Sequence, residues 1–273
     1  MLQEERLAEV LRLLREKGTV KIQELTERFG VTRETVRRDL YELERLGHVR
    51  KVHGGATLHK TGVEPAYSER ADSLVAEKQA IAKRCADLVE AGDSLFIDVG
   101  TTALLFARQL HAHRELRIIT NSVPVAMELA HHPSAKVILC GGFIRPGDLS
   151  VSGAPARHAL ETFFADKAFI GVGGLSANGL TDYHVEEADL RRLMMQRAKE
   201  TIAMADSTKL GVTAFHRVAA AEELSVLVTD READPAMLQF LAESGVQVIV
   251  ADGETDGGRA KLNSPRKREG SSE

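Results

Sequence analysis

Gly30-Val31-Thr32 separates two helical patterns, and the second, Arg33-Glu34-Thr35-Val36-Arg37-Arg38-Asp39-Leu40, tightly restricts what the surrounding segment can fold into. At roughly 100° per residue, Val36, Leu40 and Leu43 fall on one stripe. Glu34, Arg37, Arg38 and Tyr41 fall on the opposite arc, with Arg33 in the first turn adjoining it. A helix with an apolar back and an arginine-rich front, entered through a tight turn, suits a major groove. There arginine pairs bidentately with guanine edges or clamps phosphate. Thr32 stands where its hydroxyl accepts an early backbone N–H and caps the helix.

The flanking residues agree. Leu7, Val10, Leu11 and Leu14 form the apolar stripe of a first helix that Gly18 ends. An extended Thr19-Val20-Lys21 leads into a helix over 22–29 with Leu25 and Phe29 inward, and Gly47 closes the third helix. Residues 49–58 read as a hairpin turning at Gly54-Gly55. Three helices and a β wing make a winged helix-turn-helix. The candidate DNA contacts are Thr32, Arg33, Glu34, Thr35, Arg37 and Arg38 on the helix, with Arg50, Lys51, His53 and Gly54 on the wing. The competing reading is a winged helix for protein contacts, its arginines a solvated face.

The chain has 273 residues, enough for this head and a larger body. Residues 1–60 carry 13 basic side chains against 10 acidic, and the remainder 23 against 30. The body is therefore not a nucleic-acid surface. The divisions expected are a head over 1–58, a linker over 59–74, an effector body over 75–252 and a disordered tail over 253–273. Cys85 and Cys140 sit on apolar patterns without paired spacing, which reads as reduced, buried thiols. No signal peptide or membrane-length apolar run occurs, so a cytoplasmic protein with no membrane partner is expected. His111, His113, His131 and His132 fall at helix ends and in loops, and no metal site is assigned.

After residue 75 the pattern alternates. Strand-like runs at 94–98, 116–120, 136–140, 166–171, 201–205, 226–229 and 246–250 are separated by helical patterns, with helices expected at 75–91, 102–111, 124–131, 156–164, 186–199 and 235–244. Such alternation predicts an α/β fold, a doubly wound and mostly parallel sheet. Five strands run into polar loops: Asp98-Val99-Gly100-Thr101-Thr102, Thr120-Asn121-Ser122, Gly141-Gly142, Gly171-Val172-Gly173-Gly174 and Asp206-Ser207-Thr208-Lys209. In an open α/β sheet these gather outside the carboxyl ends of the strands, where ligands bind. Glycines admit close backbone approach, hydroxyls donate, and a helix starting just after Thr101-Thr102 favours an anion. The set suits a phosphorylated sugar or polyol. Arg145 either reaches an anion or is a solvated loop charge. Neither a dinucleotide fingerprint nor a Walker A sequence is present, and no cofactor is expected.

Thr35-Val36-Arg37-Arg38-Asp39-Leu40 and His53-Gly54-Gly55-Ala56 resemble the DNA-binding domain of the DeoR family of bacterial transcriptional regulators. Asp98-x-Gly100-Thr101-Thr102, Thr120-Asn121-Ser122, Gly141-Gly142, Gly179-Leu180-Thr181, Glu187-Ala188 and Ala205-Asp206-Ser207-Thr208-Lys209 resemble that family's effector domain in order and spacing. The resemblance runs from about residue 5 to 250. It implies a domain similar to sugar-phosphate isomerases that has kept recognition rather than catalysis, with the G-T-T loop on the phosphate. The residues so implicated are Asp98, Gly100, Thr101, Thr102, Asp166, Glu187 and Lys209, with either Glu186 or Glu187 facing the pocket. With the strand-end loops, the candidate effector site also includes Thr120, Asn121, Gly141, Gly142, Arg145 and Gly173.

The reading is a non-enzymatic, DNA-binding transcriptional regulator, a repressor of a carbohydrate-utilisation operon answering to a phosphorylated sugar or polyol. Its partners are a double-stranded operator, the effector and further copies of itself, as a dimer or tetramer, since paired half-sites need paired heads. The alternative is a sugar-phosphate isomerase-like enzyme with an accessory DNA-binding head, for which Asp98, Glu187, Asp206 and Lys209 provide acid–base types.

Overall fold

A computed structural model of the chain describes residues 2–45, 49–52, 54–58 and 64–252. Gly47, His53, positions 59–63 of the expected linker and the expected tail lie outside the described residues, as do the side chains of Arg50 and Lys51.

The head consists of α1 (Gln3–Lys17), β1 (Thr19–Lys21), α2 (Ile22–Phe29), α3 (Arg33–Arg45), β2 (Val49–Val52) and β3 (Gly55–Leu58). Its three strands run in the order β1-β3-β2. Gly18 and Gly30 close α1 and α2, their N–H groups donating to Leu14 O at 2.8 Å and Thr26 O at 3.0 Å. The apolar stripes meet in one core of Val10, Leu13, Leu14, Val20, Leu25, Val36, Leu40 and Leu43, with Val49 and Ala56 from the wing. Asp39 is buried beneath α3, where Arg6 of α1 donates to both its oxygens, at 2.7 and 3.1 Å.

The stretch expected as linker contains a helix, α4 (Tyr67–Asp72). Arg70 pairs with Glu64 at 2.9 Å, and buried Lys78 donates to the carbonyl oxygens of Ser73, at 2.7 Å, and Arg70. This segment is therefore fastened to the body.

The body alternates as the sequence predicts: α5 (Val75–Ala86), β4 (Ser94–Ile97), α6 (Thr101–Gln109), β5 (Arg117–Thr120), α7 (Val123–Leu129) and β6 (Lys136–Leu139). A hairpin, β7 (Phe143–Ile144) and β8 (Val151–Ser152), leads to α8 (Ala154–Thr162) and β9 (Ala165–Ile170). Then come β10 (Gly174–Ser176), β11 (Gly179–Asp182), α9 (Val185–Arg197), β12 (Ala198–Met204), β13 (His216–Ala219), β14 (Val226–Asp230), α10 (Pro235–Glu243) and β15 (Gln247–Ala251). Seven strands form a parallel sheet, ordered β15-β14-β12-β9-β4-β5-β6. Successive residues feed opposite faces: Phe96 joins one apolar cluster, while Leu95 and Ile97 join the other.

From β4 the chain winds outward through β5 to β6, and from β9 outward through β12 and β14 to β15. The winding reverses between β4 and β9, which places a ligand crevice beyond their carboxyl ends. Two small antiparallel sheets, β10-β11-β13 and β7-β8, were not expected. Strands of two to four residues are too short to carry an alternation signal.

Candidate functional site

The DNA face begins at the α3 cap. Thr32 Oγ1 accepts from Thr35 N–H at 3.2 Å and lies 2.9 Å from the Thr35 hydroxyl, which holds the start of the helix. Arg33, Glu34, Arg37 and Arg38 are exposed beyond it, while Thr35 is half-buried. Arg37 lies 3.8 Å from Glu34, a loose pair that leaves the guanidinium available. The two wing glycines have different reasons. Gly54 has φ +80°, which a glycine adopts without strain. Gly55 is needed for close approach, since a Cβ there would stand 2.0 Å from Val20 O across the β1–β3 pairing.

The body's main cavity, about 420 Å3, opens at the winding reversal and is within the range of small-molecule sites. Three strand-end loops line it: Val99 to Thr102 after β4, Gly171 to Gly173 after β9, and Asp206 to Lys209 after β12. Gly100 precedes α6 with φ +127°, and no side chain caps that helix, so the N–H groups of its first turn face the cavity beside the Thr101 and Thr102 hydroxyls. Asp206 accepts from Thr208 N–H at 3.1 Å and fixes the turn that carries Lys209. Among the described residues, no carboxylate pairs with Lys209.

Behind the loops lies a buried ionic group that the sequence reading missed. Arg191 of α9 donates from Nε to Asp98 at 2.6 Å and from Nη1 to Asp182, and Asp98 also accepts from Gly171 N–H at 3.0 Å. Arg191 is 3% exposed and Asp98 1%, so solvent does not screen the pair. Burial works against the Arg191 charge, but Asp98 and Asp182 outweigh it and hold the guanidinium above its usual value. Burial pushes Asp98 up from the ordinary carboxylate range, with Arg191 opposing. Glu187, one turn before Arg191 and also in the cavity, is pushed up to about 8 by burial, against Arg191 and Arg145. Glu187 Oε1 lies 2.7 Å from Arg145 Nη2, but off the hydrogen-bond direction, and makes no hydrogen bond. The Glu186 or Glu187 alternative resolves to Glu187; Glu186 is exposed and borders a smaller cavity.

Of the expected effector residues, Gly100, Thr101, Thr102, Gly173, Glu187 and Lys209 line the cavity, and Asp98 sits directly behind it. Arg145 does not line this cavity and is not a solvated loop charge: it is half-buried, pairs with Asp148, lies close to Glu187 and borders the smaller cavity. Thr120 and Asn121 are buried at the end of β5 outside the cavity. There Thr120 Oγ1 accepts from Ser122 N–H at 3.0 Å, and Asn121 O accepts from Val151 N–H at 2.7 Å. Gly141 and Gly142 are also outside it; a Cβ on Gly142 would meet Ser152 O at 2.2 Å, so that glycine serves the β7–β8 hairpin. Asp166 is a correction. It begins β9 at the amino end of the sheet, where it accepts from Ser94 N–H at 2.9 Å and from Lys199 at 2.7 Å. Strand polarity puts it at the wrong edge for the cavity. Polar lining residues that the sequence did not assign to the effector site include Lys78, Asp148, Asp182, Arg191 and Ser207, together with Tyr41 and Glu44 of the head. Arg191 had one legible signal: on α9, Glu187, Leu190, Arg191 and Met194 share the buried face.

An arginine-fronted winged head joined to a parallel α/β body with a loop-walled cavity defines a DNA-binding regulator with a small-molecule sensor. Residues 6–61 match the DeoR-like helix-turn-helix domain and residues 73–231 the DeoR C terminal sensor domain. The chain belongs to the DeoR family of transcriptional regulators. It is 34% identical to the HTH-type transcriptional repressor GlcR of Bacillus subtilis, over 92% of this chain and 98% of that one. It is 32% identical to the HTH-type transcriptional regulator GolR of Listeria innocua, over 91% and 98%. It is 29% identical to the glycerol-3-phosphate regulon repressor of Escherichia coli, over 91% and 99%. These relatives are named as regulators and repressors, and the chain is a regulator rather than an enzyme. Among solved structures it resembles ribose 5-phosphate isomerase A from Methanocaldococcus jannaschii at 18% identity, over 49% of this chain and 53% of that one, with a TM-score of 0.35. No helix among the described residues is long and apolar enough to cross a membrane.

Proposed function

We propose that the protein is a cytoplasmic repressor of a carbohydrate-utilisation operon whose DNA affinity is set by a phosphorylated sugar or polyol. The observation that carries the effector class is the uncapped start of α6, where Gly100, Thr101 and Thr102 face one cavity with Lys209. Free N–H groups, the positive end of the helix dipole, two hydroxyls and an ammonium together suit a phosphate. The carboxyl groups of Glu187, Asp148 and Asp182 around the rest of the cavity accept hydrogen bonds from hydroxyl groups. The curated relatives, one of them a glycerol-3-phosphate regulon repressor, support the same class.

In this reading Thr32, Arg33, Glu34, Thr35, Arg37, Arg38 and the wing, including Arg50, Lys51, His53 and Gly54, meet the operator. Residues 1–58 form the head and 75–252 the sensor. The protein works as a homo-oligomer, because two half-sites require two heads. The exposed edge of β6, with Ile138 and Leu139 beside Phe143 and Ile144, offers a second copy an apolar surface to cover.

Calorimetry of the full chain against a panel of sugar phosphates, paired with operator binding, tests the proposal. Thr101→Ala with Thr102→Ala, or Lys209→Ala, should abolish the response to the phosphorylated effector while operator binding survives. Equal affinity in those variants, or equal binding of the unphosphorylated sugar, would sink the phosphate assignment.

A further inference from the structure

One wall of the cavity comes from the head rather than the body. Tyr41 and Glu44 near the end of α3, and Val49 at the start of β2, line the same space as Gly100, Thr101 and Lys209. The contact is direct, since α3 packs against the Ser207–Lys209 turn itself. Tyr41 stands on the same helical arc as Glu34, Arg37 and Arg38. Base contacts in helix-turn-helix proteins come from the N-terminal residues of the reading helix, where the exposed arginines are. The two halves of α3 therefore have different neighbours: solvent or DNA at one end, the cavity at the other.

We propose that the C-terminal half of α3 is a ligand-reading wall. Tyr41 and Glu44 contact the carbon chain of the effector rather than its phosphate, so the ligand acts on the DNA-reading helix by touching it. This rests on the phosphate reading of the 100–102 loop and deepens it. A phosphate against α6 and Lys209 leaves most of a cavity of about 420 Å3 to be filled by the carbon chain. A tyrosine ring packs against the C–H face of a sugar, its hydroxyl donates or accepts, and a glutamate accepts from sugar hydroxyls. A ligand shifts the head only if it binds two head positions differently. Contact with α3 supplies that difference without a relay through residues 59–74. Ligand length then becomes a criterion: a compound that fills only the phosphate end binds without moving the head.

The chain contains no tryptophan, so Tyr41→Trp gives a full-length protein with one such fluorophore at the wall. Inorganic phosphate, glycerol 3-phosphate and fructose 6-phosphate are titrated by calorimetry and by emission and iodide quenching. The hexose phosphate should change emission and quenching with the calorimetric affinity, and inorganic phosphate should bind with no change. Phe164→Trp, exposed at the amino end of the sheet, should stay silent throughout. In separate calorimetry, Tyr41→Ala and Glu44→Ala should each weaken the hexose phosphate about tenfold and change inorganic phosphate by less than about twofold. Hexose phosphate binding that is silent at position 41 and unaffected by both alanine variants overturns the wall and leaves the phosphate loop intact. If the parent binds none of the three, or if Thr101→Ala with Thr102→Ala binds inorganic phosphate as the parent does, the phosphate reading fails and this inference with it.

Discussion

Replacing Arg191 by methionine removes a buried positive charge at nearly constant volume, and its cost follows from what surrounds it. Asp98 and Asp182 are 1% and 4% exposed and share that one guanidinium. Breaking a buried ion pair by deleting one partner costs about 3–5 kcal/mol, because the remaining charge is left without compensation. Against a total stability of roughly 5–15 kcal/mol that is a large fraction. The pH dependence identifies the cause. Burial already pushes Asp98 up with Arg191 present, and without it both carboxyl groups lose their main opposing charge. An acid whose folded pKa exceeds its unfolded value contributes stability below the unfolded pKa and loses it as pH rises through the folded one. Each pH unit across that window is worth about 1.4 kcal/mol per proton held. From pH 5 to pH 8 the deficit of Arg191→Met therefore grows, by up to about 4 kcal/mol for each carboxyl still protonated at pH 8. Urea unfolding at both pH values measures this. Adding Asp98→Asn to Arg191→Met should recover part of the loss at pH 8 and little at pH 5, which separates unpaired charge from altered packing. A loss at pH 8 below about 1 kcal/mol, or an equal loss at both pH values, would refute the reasoning.

Gly55→Val would force a side chain into Val20 O, so it should part β1 from β3 and abolish operator binding in anisotropy titrations. Gly54→Ala has open space at φ +80° and should cost only about 1 kcal/mol or a little more. Replacing Arg33, Arg37 and Arg38 by alanine one at a time should cost about 1–3 kcal/mol with relaxed sequence preference at a base-reading position. At a phosphate contact it should instead lower the salt slope by about one. Intact specific binding by the triple variant in moderate salt contradicts the groove assignment. Because Glu187 holds its proton up to about 8 in the folded chain, the parent's unfolding free energy should fall from pH 4.5 towards 8. Glu187→Gln should flatten that fall in the same urea series.

The elements that the sequence made legible are those with a repeating signal. Seven parallel strands stand within a few residues of their expected limits because each carries a short apolar run, and the inner ones are covered on both faces. The same signal is silent about which way along a strand a polar residue lies relative to the cavity. Asp166 and Asp98 both border apolar strand runs, yet one begins β9 and the other follows β4, at opposite edges of the sheet. Thr120 and Asn121 belong to a polar strand-end loop by composition, but the Thr120 hydroxyl and the Asn121 backbone carbonyl serve the β5 end itself, where the chain returns through Ser150 and Val151, and the Asn121 side-chain amide is buried with no hydrogen-bond partner among the described residues. Arg191 escaped because a charged residue inside a helix reads as surface unless its counter-charges are known. Those are Asp98, ninety-three positions away, and Asp182, nine positions away.

The crowded motif on α3 has a physical explanation in these contacts. Val36, Leu40 and Leu43 face the head core, Arg33, Arg37 and Arg38 face outward, and Tyr41 and Glu44 reach the sensor cavity. Asp39 takes the remaining direction and is held by two hydrogen bonds from Arg6. A bidentate carboxylate–guanidinium pair fixes orientation as well as distance, so α3 cannot roll about its axis without breaking it. The apolar stripe likewise cannot slide by a residue without exposing Leu40. With rotation and translation both blocked, a force applied at the C-terminal half of α3 is passed to α1 and the wing together. On the proposed ligand wall, the effector therefore repositions the winged head as a unit, and the arginines and wing leave or meet the groove in one motion.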